Sequence, residues 1–149
     1  MGKILIIEDD PLVARMYQKA LSLEKLSVVV ARNGQEGIKK AEEVKPDLIL
    51  LDIMMPEMNG IEALEALKSD NELKSVPVIM LTNLSGTQDA ELALKKGAVA
   101  YMVKSEYKPK EVVEKVKQVL AKRGSASDSE PSEDELKKPT LVDEKESVG

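Results

Sequence analysis

Several short apolar runs in this chain each end in a side chain able to do chemistry. Ile4-Leu5-Ile6-Ile7 leads into Glu8-Asp9-Asp10, and Leu48-Ile49-Leu50-Leu51 leads into Asp52. The run Val76 to Leu81 is followed by Thr82, and Val99 to Val103 by Lys104. Carboxylates gathered within a few ångströms repel one another and are costly to keep ionised without a cation. An oxygen-only donor set suits Mg²⁺, which takes one or two carboxylates, keeps several waters and accepts phosphate oxygens as co-ligands. Once screened by such a cation, a carboxylate can attack phosphorus and become an aspartyl-phosphate, with a hydroxyl and an ammonium binding the phosphoryl oxygens. The chain has no cysteine and no histidine. Thiolate and imidazole metal sites, disulfides, Cys nucleophiles and Ser-His catalysis are therefore excluded.

These residues share a site only if the elements carrying them are arranged to bring them together. Five apolar runs (Lys3 to Ile7, Ser27 to Ala31, Asp47 to Leu51, Val76 to Leu81, Val99 to Val103) alternate with longer stretches that carry one apolar stripe each. Val13, Met16, Tyr17, Ala20 and Leu21 form one such stripe; Val112, Val116, Val119 and Leu120 form another. The pattern is that of parallel strands joined by crossover helices, and runs without a polar face indicate strands buried on both sides. Pro11 suits a first helical turn, Asn33 an N-cap, and Gly97 a helix C-terminus. The reading is an α/β, flavodoxin-like (βα)5 fold, a doubly wound five-stranded parallel sheet in the order 2-1-3-4-5. In that order strands 1, 3 and 4 are neighbours, and their carboxyl ends flank the crevice where open sheets bind ligands.

The length of 149 residues fits one ordinary domain. Residues 1–123 carry 19 basic and 19 acidic side chains, whereas 124–149 carry 3 and 8, so the whole net charge of −5 sits in the last segment. The expected organisation is a domain over 1–123 followed by an acidic Ser/Glu-rich disordered tail over 124–149. Leu141-Val142 is the tail's only apolar step, which leaves a docking peptide, a phosphorylated serine or a plain solubilising tail as readings, the last favoured. The neutral body, with only Tyr17, Tyr101 and Tyr107 as aromatics, argues against nucleic acid as the main ligand. No apolar run approaches a membrane span and the opening residues do not read as a leader, so a cytoplasmic location without a membrane partner is expected.

Taken in order, Glu8-Asp9, Asp52-x-x-Met55-Pro56-x-x-x-Gly60, Thr82 and Gly97-Ala98-x-x-Tyr101-x-x-Lys104 resemble the receiver domain of two-component response regulators over residues 3 to about 122. The resemblance implies that Asp52 is the phosphoacceptor. Asp9 would be the direct Mg²⁺ ligand, Glu8 would act mainly through a metal-bound water, and Asp52 with the Met54 backbone carbonyl would complete the set. Thr82 would follow the phosphoryl group inward, Tyr101 would act as the switch that changes rotamer with it, and Lys104 would pair with the phosphate. The partners implied are a sensor histidine kinase or phosphotransfer protein upstream. Downstream, a protein target would meet helix 4, strand 5 and helix 5 of a monomer or phosphorylation-induced dimer. The expected function is a single-domain response regulator, a phosphoacceptor with Mg²⁺-dependent self-phosphorylation and slow self-dephosphorylation rather than a turnover enzyme.

The sequence departs from the family in places. Ser105 follows Lys104 where the family usually has a cis proline, and a cis bond to a non-proline residue costs about 2.5 to 4 kcal/mol. Asn83 replaces a small residue and either narrows phosphodonor access or donates a hydrogen bond to the phosphoryl. Met54 and Leu84, two residues beyond Asp52 and Thr82, can shield phosphorus but cannot orient a water, which predicts a long-lived phosphoryl group. Met54 also stands where a haloacid-dehalogenase-type phosphatase needs a second Asp. Glu8-Asp9-Asp10 and the lack of Trp argue against a flavin carrier. The alternative kept is a phosphorylation-independent, receiver-like protein-binding module.

Overall fold

A computed structural model of the chain describes residues 2–126, with side chains as far as Arg123. Strands β1 (Lys3–Ile7), β2 (Ser27–Ala31), β3 (Leu48–Leu51), β4 (Val78–Thr82) and β5 (Ala100–Val103) alternate with helices α1 (Pro11–Ser22), α2 (Gly34–Val44), α3 (Gly60–Ser69), α4 (Thr87–Lys95) and α5 (Pro109–Ala126). All strand pairs are parallel and the order is 2-1-3-4-5, the doubly wound flavodoxin-like arrangement expected.

Side chains of successive strand residues point to opposite faces, and here both faces are covered. Ile4, Ile6, Leu48, Leu50, Ile79, Leu81, Ala100 and Met102 pack against Tyr17 and Leu21 of α1 and Val112, Val113 and Val116 of α5. Their neighbours Leu5, Ile7, Ile49, Leu51, Val78, Met80 and Tyr101 pack on the other side against Ala41 of α2, Ala63, Leu64 and Leu67 of α3 and Ala93 of α4. Truncating any one of the fully buried leucines or isoleucines to Ala costs about 2 to 5 kcal/mol.

The helix signals act as the sequence indicates. Asp10 caps α1, its carboxylate accepting from the amides of Leu12 at 2.9 Å and Val13 at 3.3 Å, with Pro11 in the first turn. Asn33 caps α2, and Asn59 and Glu62 form a reciprocal capping box on α3. Gly97, at φ 114°, follows α4 where only glycine turns without strain.

Three strands start later than expected, β3 at Leu48, β4 at Val78 and β5 at Ala100. Just before β3 the Asp47 amide donates to Lys3 O at 2.8 Å, but the Lys3 amide goes to the Asp47 carboxylate, also at 2.8 Å, rather than to a main-chain carbonyl. β4 begins at Val78 because Pro77 has no N–H for the ladder, although its carbonyl accepts from Ile49. Thr82 is the last residue of β4 rather than the first beyond it. A 3₁₀ turn over Lys104–Glu106 links β5 to α5, and no peptide bond among the described residues is cis, so Lys104-Ser105 is trans. Helix α5 continues to Ala126, three residues into the segment read as tail; the remainder of that segment, 127–149, lies outside the described residues. Among the described residues no helix is long and apolar enough to cross a membrane.

Candidate functional site

Strand register brings the strand-end residues level with one another. Ile7 pairs with both Ala31 and Leu51, so Glu8 and Asp52 emerge side by side; Thr82 pairs with Val103, which puts Lys104 one step beyond it. The Glu8 amide donates to Ala31 O at 3.0 Å and the Asp52 amide to Ile7 O at 3.1 Å, extending the ladder through both acids. Gly60 pins the other side of Asp52: a Cβ at that position would lie 2.1 Å from the Asp52 carbonyl oxygen.

Glu8 and Asp52 are each only 5% exposed, while Asp9 faces solvent. One carboxylate oxygen from each of the three lies within 4.8 Å of the others. Lys104 Nζ bridges the buried pair, donating to Glu8 Oε1 at 2.5 Å and Asp52 Oδ2 at 3.3 Å. Asp52 Oδ1 accepts the Met54 amide at 3.3 Å, and Glu8 Oε2 accepts the Asp10 amide at 3.1 Å. Burial pushes the Glu8 carboxyl above its ordinary 4.5; the Lys104 hydrogen bond offsets this in part, and the Asp52 charge adds to it. Burial alone would lower Lys104, but its hydrogen bond to Glu8 and the charges of Asp52 and Glu8 prevail and hold it above 10.5. Lys104 therefore stays a cation. Three carboxylates against one ammonium, all oxygen donors and open to solvent through Asp9, are a donor set that fits a hard divalent cation.

These groups line a cleft of about 250 Å³, together with Asp10, Val13, Met54 and Asn83. Met54 is 57% exposed at the rim, and Asn83 is also exposed. Thr82 and Tyr101 do not line it. Thr82 is wholly buried, and its hydroxyl oxygen accepts the Leu84 amide at 3.3 Å. Tyr101 is buried too, and its hydroxyl donates to the Leu84 carbonyl at 2.7 Å. Burial, with the charges of Asp89 and Asp52 adding to it, raises the Tyr101 phenol above its ordinary 10.0.

Leu84 is thus held through its main chain on both sides, and its side chain packs on the core face that contains Tyr101. It does not shield the site from above as the sequence reading had it. A loop residue two positions past a strand has no periodicity to reveal which way it turns. Val13 at the cleft also escaped notice, because its place in the α1 stripe marks it only as core. Asp10 is spent on capping α1, a role that the following Pro11 signals.

The chain matches the response regulator receiver domain over residues 4–117. It belongs to that family. It is 37% identical over 131 residues to the DNA-binding response regulator MtrA of Mycolicibacterium smegmatis, covering 88% of this chain and 54% of that protein. With the alkaline phosphatase synthesis transcriptional regulatory protein PhoP of Bacillus subtilis the identity is 36% over 141 residues, covering 94% and 58%. The chain therefore spans a little over half the length of these relatives. Among solved structures it resembles a CheY-like response regulator receiver domain protein from Methanospirillum hungatei, at TM-score 0.78 and 30% identity, covering 85% of this chain and 98% of that one. It also resembles the Francisella response regulator 1452 receiver domain, at TM-score 0.75 and 29% identity, covering 83% and 99%. A relative named for DNA binding runs against the expectation that nucleic acid plays no part. The charge count behind that expectation speaks only for the residues it counts.

Proposed function

We propose that Asp52 accepts a phosphoryl group from a phosphohistidine on a sensor histidine kinase or phosphotransfer protein, and that the phosphorylated chain signals through protein contacts at α4, β5 and α5. The observation that carries this reading is Lys104 Nζ bridging Asp52 and Glu8 inside a three-carboxylate cluster. An Asp52 oxygen attacks phosphorus, the bond from phosphorus to the donor nitrogen breaks, and the imidazole leaves with the electron pair.

Mg²⁺, when bound, neutralises charge building on the phosphoryl oxygens. Asp9, Asp52 and the Met54 carbonyl would hold it directly, with Glu8 acting through a water. Lys104 pairs with the phosphoryl and keeps Asp52 oriented. The Thr82 hydroxyl, now accepting from Leu84, keeps its own proton to donate to a phosphoryl oxygen when the β4–α4 loop moves inward. A ligand shifts a conformational equilibrium only by such a difference in contacts. Since the Leu84 carbonyl is also the acceptor for Tyr101, movement of this loop changes the environment of Tyr101 at the proposed output face.

Acetyl phosphate with Mg²⁺ should add one base-labile phosphoryl group to the protein. Chelating the metal should prevent it, and Asp52→Asn should abolish it. Stoichiometric labelling of Asp52→Asn would refute the assignment, and a wild type that takes up no label would leave a binding module that works without phosphorylation.

A further inference from the structure

Asn83 has no role in the chemistry so far, yet it follows Thr82 directly and lines the cleft with Asp52, Met54 and Lys104. Its side chain makes no hydrogen bond among the described residues, although it sits beside the most polar group of side chains in the site. An asparagine amide carries two N–H donors and an acceptor oxygen, and with no partner holding either end it is free to turn.

A phosphoryl group on Asp52 brings three anionic oxygens, each able to accept more than one hydrogen bond. The protein donors so far identified for them are few. Thr82 offers one O–H. Lys104 has three N–H bonds, two of them directed at Glu8 and Asp52. Beyond what Mg²⁺, Thr82 and Lys104 would take, an oxygen facing the open rim, where Asn83 stands, can accept a further side-chain hydrogen bond, and one to an anion is worth more than one between neutral groups.

Building on the reading of Asp52 as phosphoacceptor, we infer that the Asn83 side-chain amide is a phosphoryl ligand, turning its N–H₂ toward an oxygen of the group on Asp52. Its carbonyl end is turned away, because an oxygen dipole facing the anion would repel it. Asn83 thus acts as a phosphoryl-binding residue of the β4–α4 loop. It holds the phosphoryl group from the side facing the rim, as Lys104 does from within, and gives the loop a second attachment to the phosphorylated state beside Thr82. Being neutral, it donates without altering the charge that holds the cation.

The test is calorimetric binding of beryllofluoride, a phosphoryl mimic, to the full chain in saturating Mg²⁺, with Mg²⁺ alone titrated separately. Asn83→Ala should weaken beryllofluoride about tenfold or more, the scale of a hydrogen bond to a charged group, and leave the Mg²⁺ affinity unchanged. Asn83→Asp keeps the shape but replaces the donor by a negative charge, so it should weaken beryllofluoride further. If Asn83→Ala binds beryllofluoride as tightly as wild type, the inference is overturned. If it merely takes up acetyl phosphate faster at unchanged beryllofluoride affinity, Asn83 only obstructs the rim and the inference is overturned equally. A wild type that binds no beryllofluoride would bring down the Asp52 reading itself, and this inference with it.

Discussion

Lys104 carries more of the site's electrostatics than any other side chain, since it is the partner of two buried carboxylates at once. Removing it as Lys104→Ala leaves that pair facing each other, which should lower stability by about 2 kcal/mol or more without divalent cations. Mg²⁺ should restore much of the loss, because it neutralises the same oxygens. The pH dependence follows from Glu8, whose carboxyl is already raised above 4.5 by burial. A raised acid binds its proton more tightly folded than unfolded, so its contribution to stability is full at or below 4.5 and is lost as pH rises through the raised value. Lys104→Ala should therefore come closer to wild-type stability at pH 5 than at pH 7; thermal melts at both pH values, with and without Mg²⁺, check this. Met54 is the rim residue whose side chain cannot orient a water, so Met54→Asn should speed loss of a label from Asp52 about fivefold, or roughly 1 kcal/mol of barrier. Chasing the label over time checks it. Leu84, turned to the core, is not expected to change that rate by shielding. The strand-end acids, Thr82 and Lys104 were legible in the sequence because each directly follows an apolar run. The directions taken by Asn83 and Leu84 were not, since Leu84 is fixed by the side-chain hydroxyls of Thr82 and of Tyr101 on β5, a pairing with no signature in the local sequence.

The elements were legible because buried strands read as continuous apolar runs and α1, α2 and α3 begin at side-chain caps, Asp10, Asn33 and Asn59. Their ends were less so. At Pro77 a missing N–H stops the ladder where hydropathy continues, and at Asp47 a side-chain oxygen takes the Lys3 amide in place of a main-chain carbonyl. The β3–α3 connection shows how closely an element can be tied to the site. Gly60, the first residue of α3, lies against the Asp52 carbonyl and Ile53 Cα, with no room for a side chain. Gly60→Ala should push α3 off the end of β3 at a cost of about 2 kcal/mol or more, the usual scale of overpacking against a backbone that cannot yield. A lowered thermal midpoint together with weakened Mg²⁺ binding would show that the helix start positions Asp52. A lower midpoint with unchanged metal affinity would confine Gly60 to packing.

At the scale of the whole molecule, Tyr17 and Tyr101 lie in opposite cores, one on each face of the sheet. Burial raises both phenols above 10.0. Each raised group contributes stability that is complete below 10.0 and lost as pH climbs through its raised value. Tyrosinate absorbance and circular dichroism followed together should therefore show that these two rings ionise only as the fold opens. Ionisation of all three tyrosines near pH 10 in a protein that keeps its native spectrum would contradict the burial of both. The two cores that these rings report on lie on opposite faces of one sheet, and the site at its strand ends bears on both: the charges of Lys104 and Glu8 act on Tyr17, and that of Asp52 on Tyr101. With α4 on one side of the sheet, α5 on the other and β5 at its edge, a partner docked on the proposed output face would touch both layers at once and leave the β2 edge uncovered.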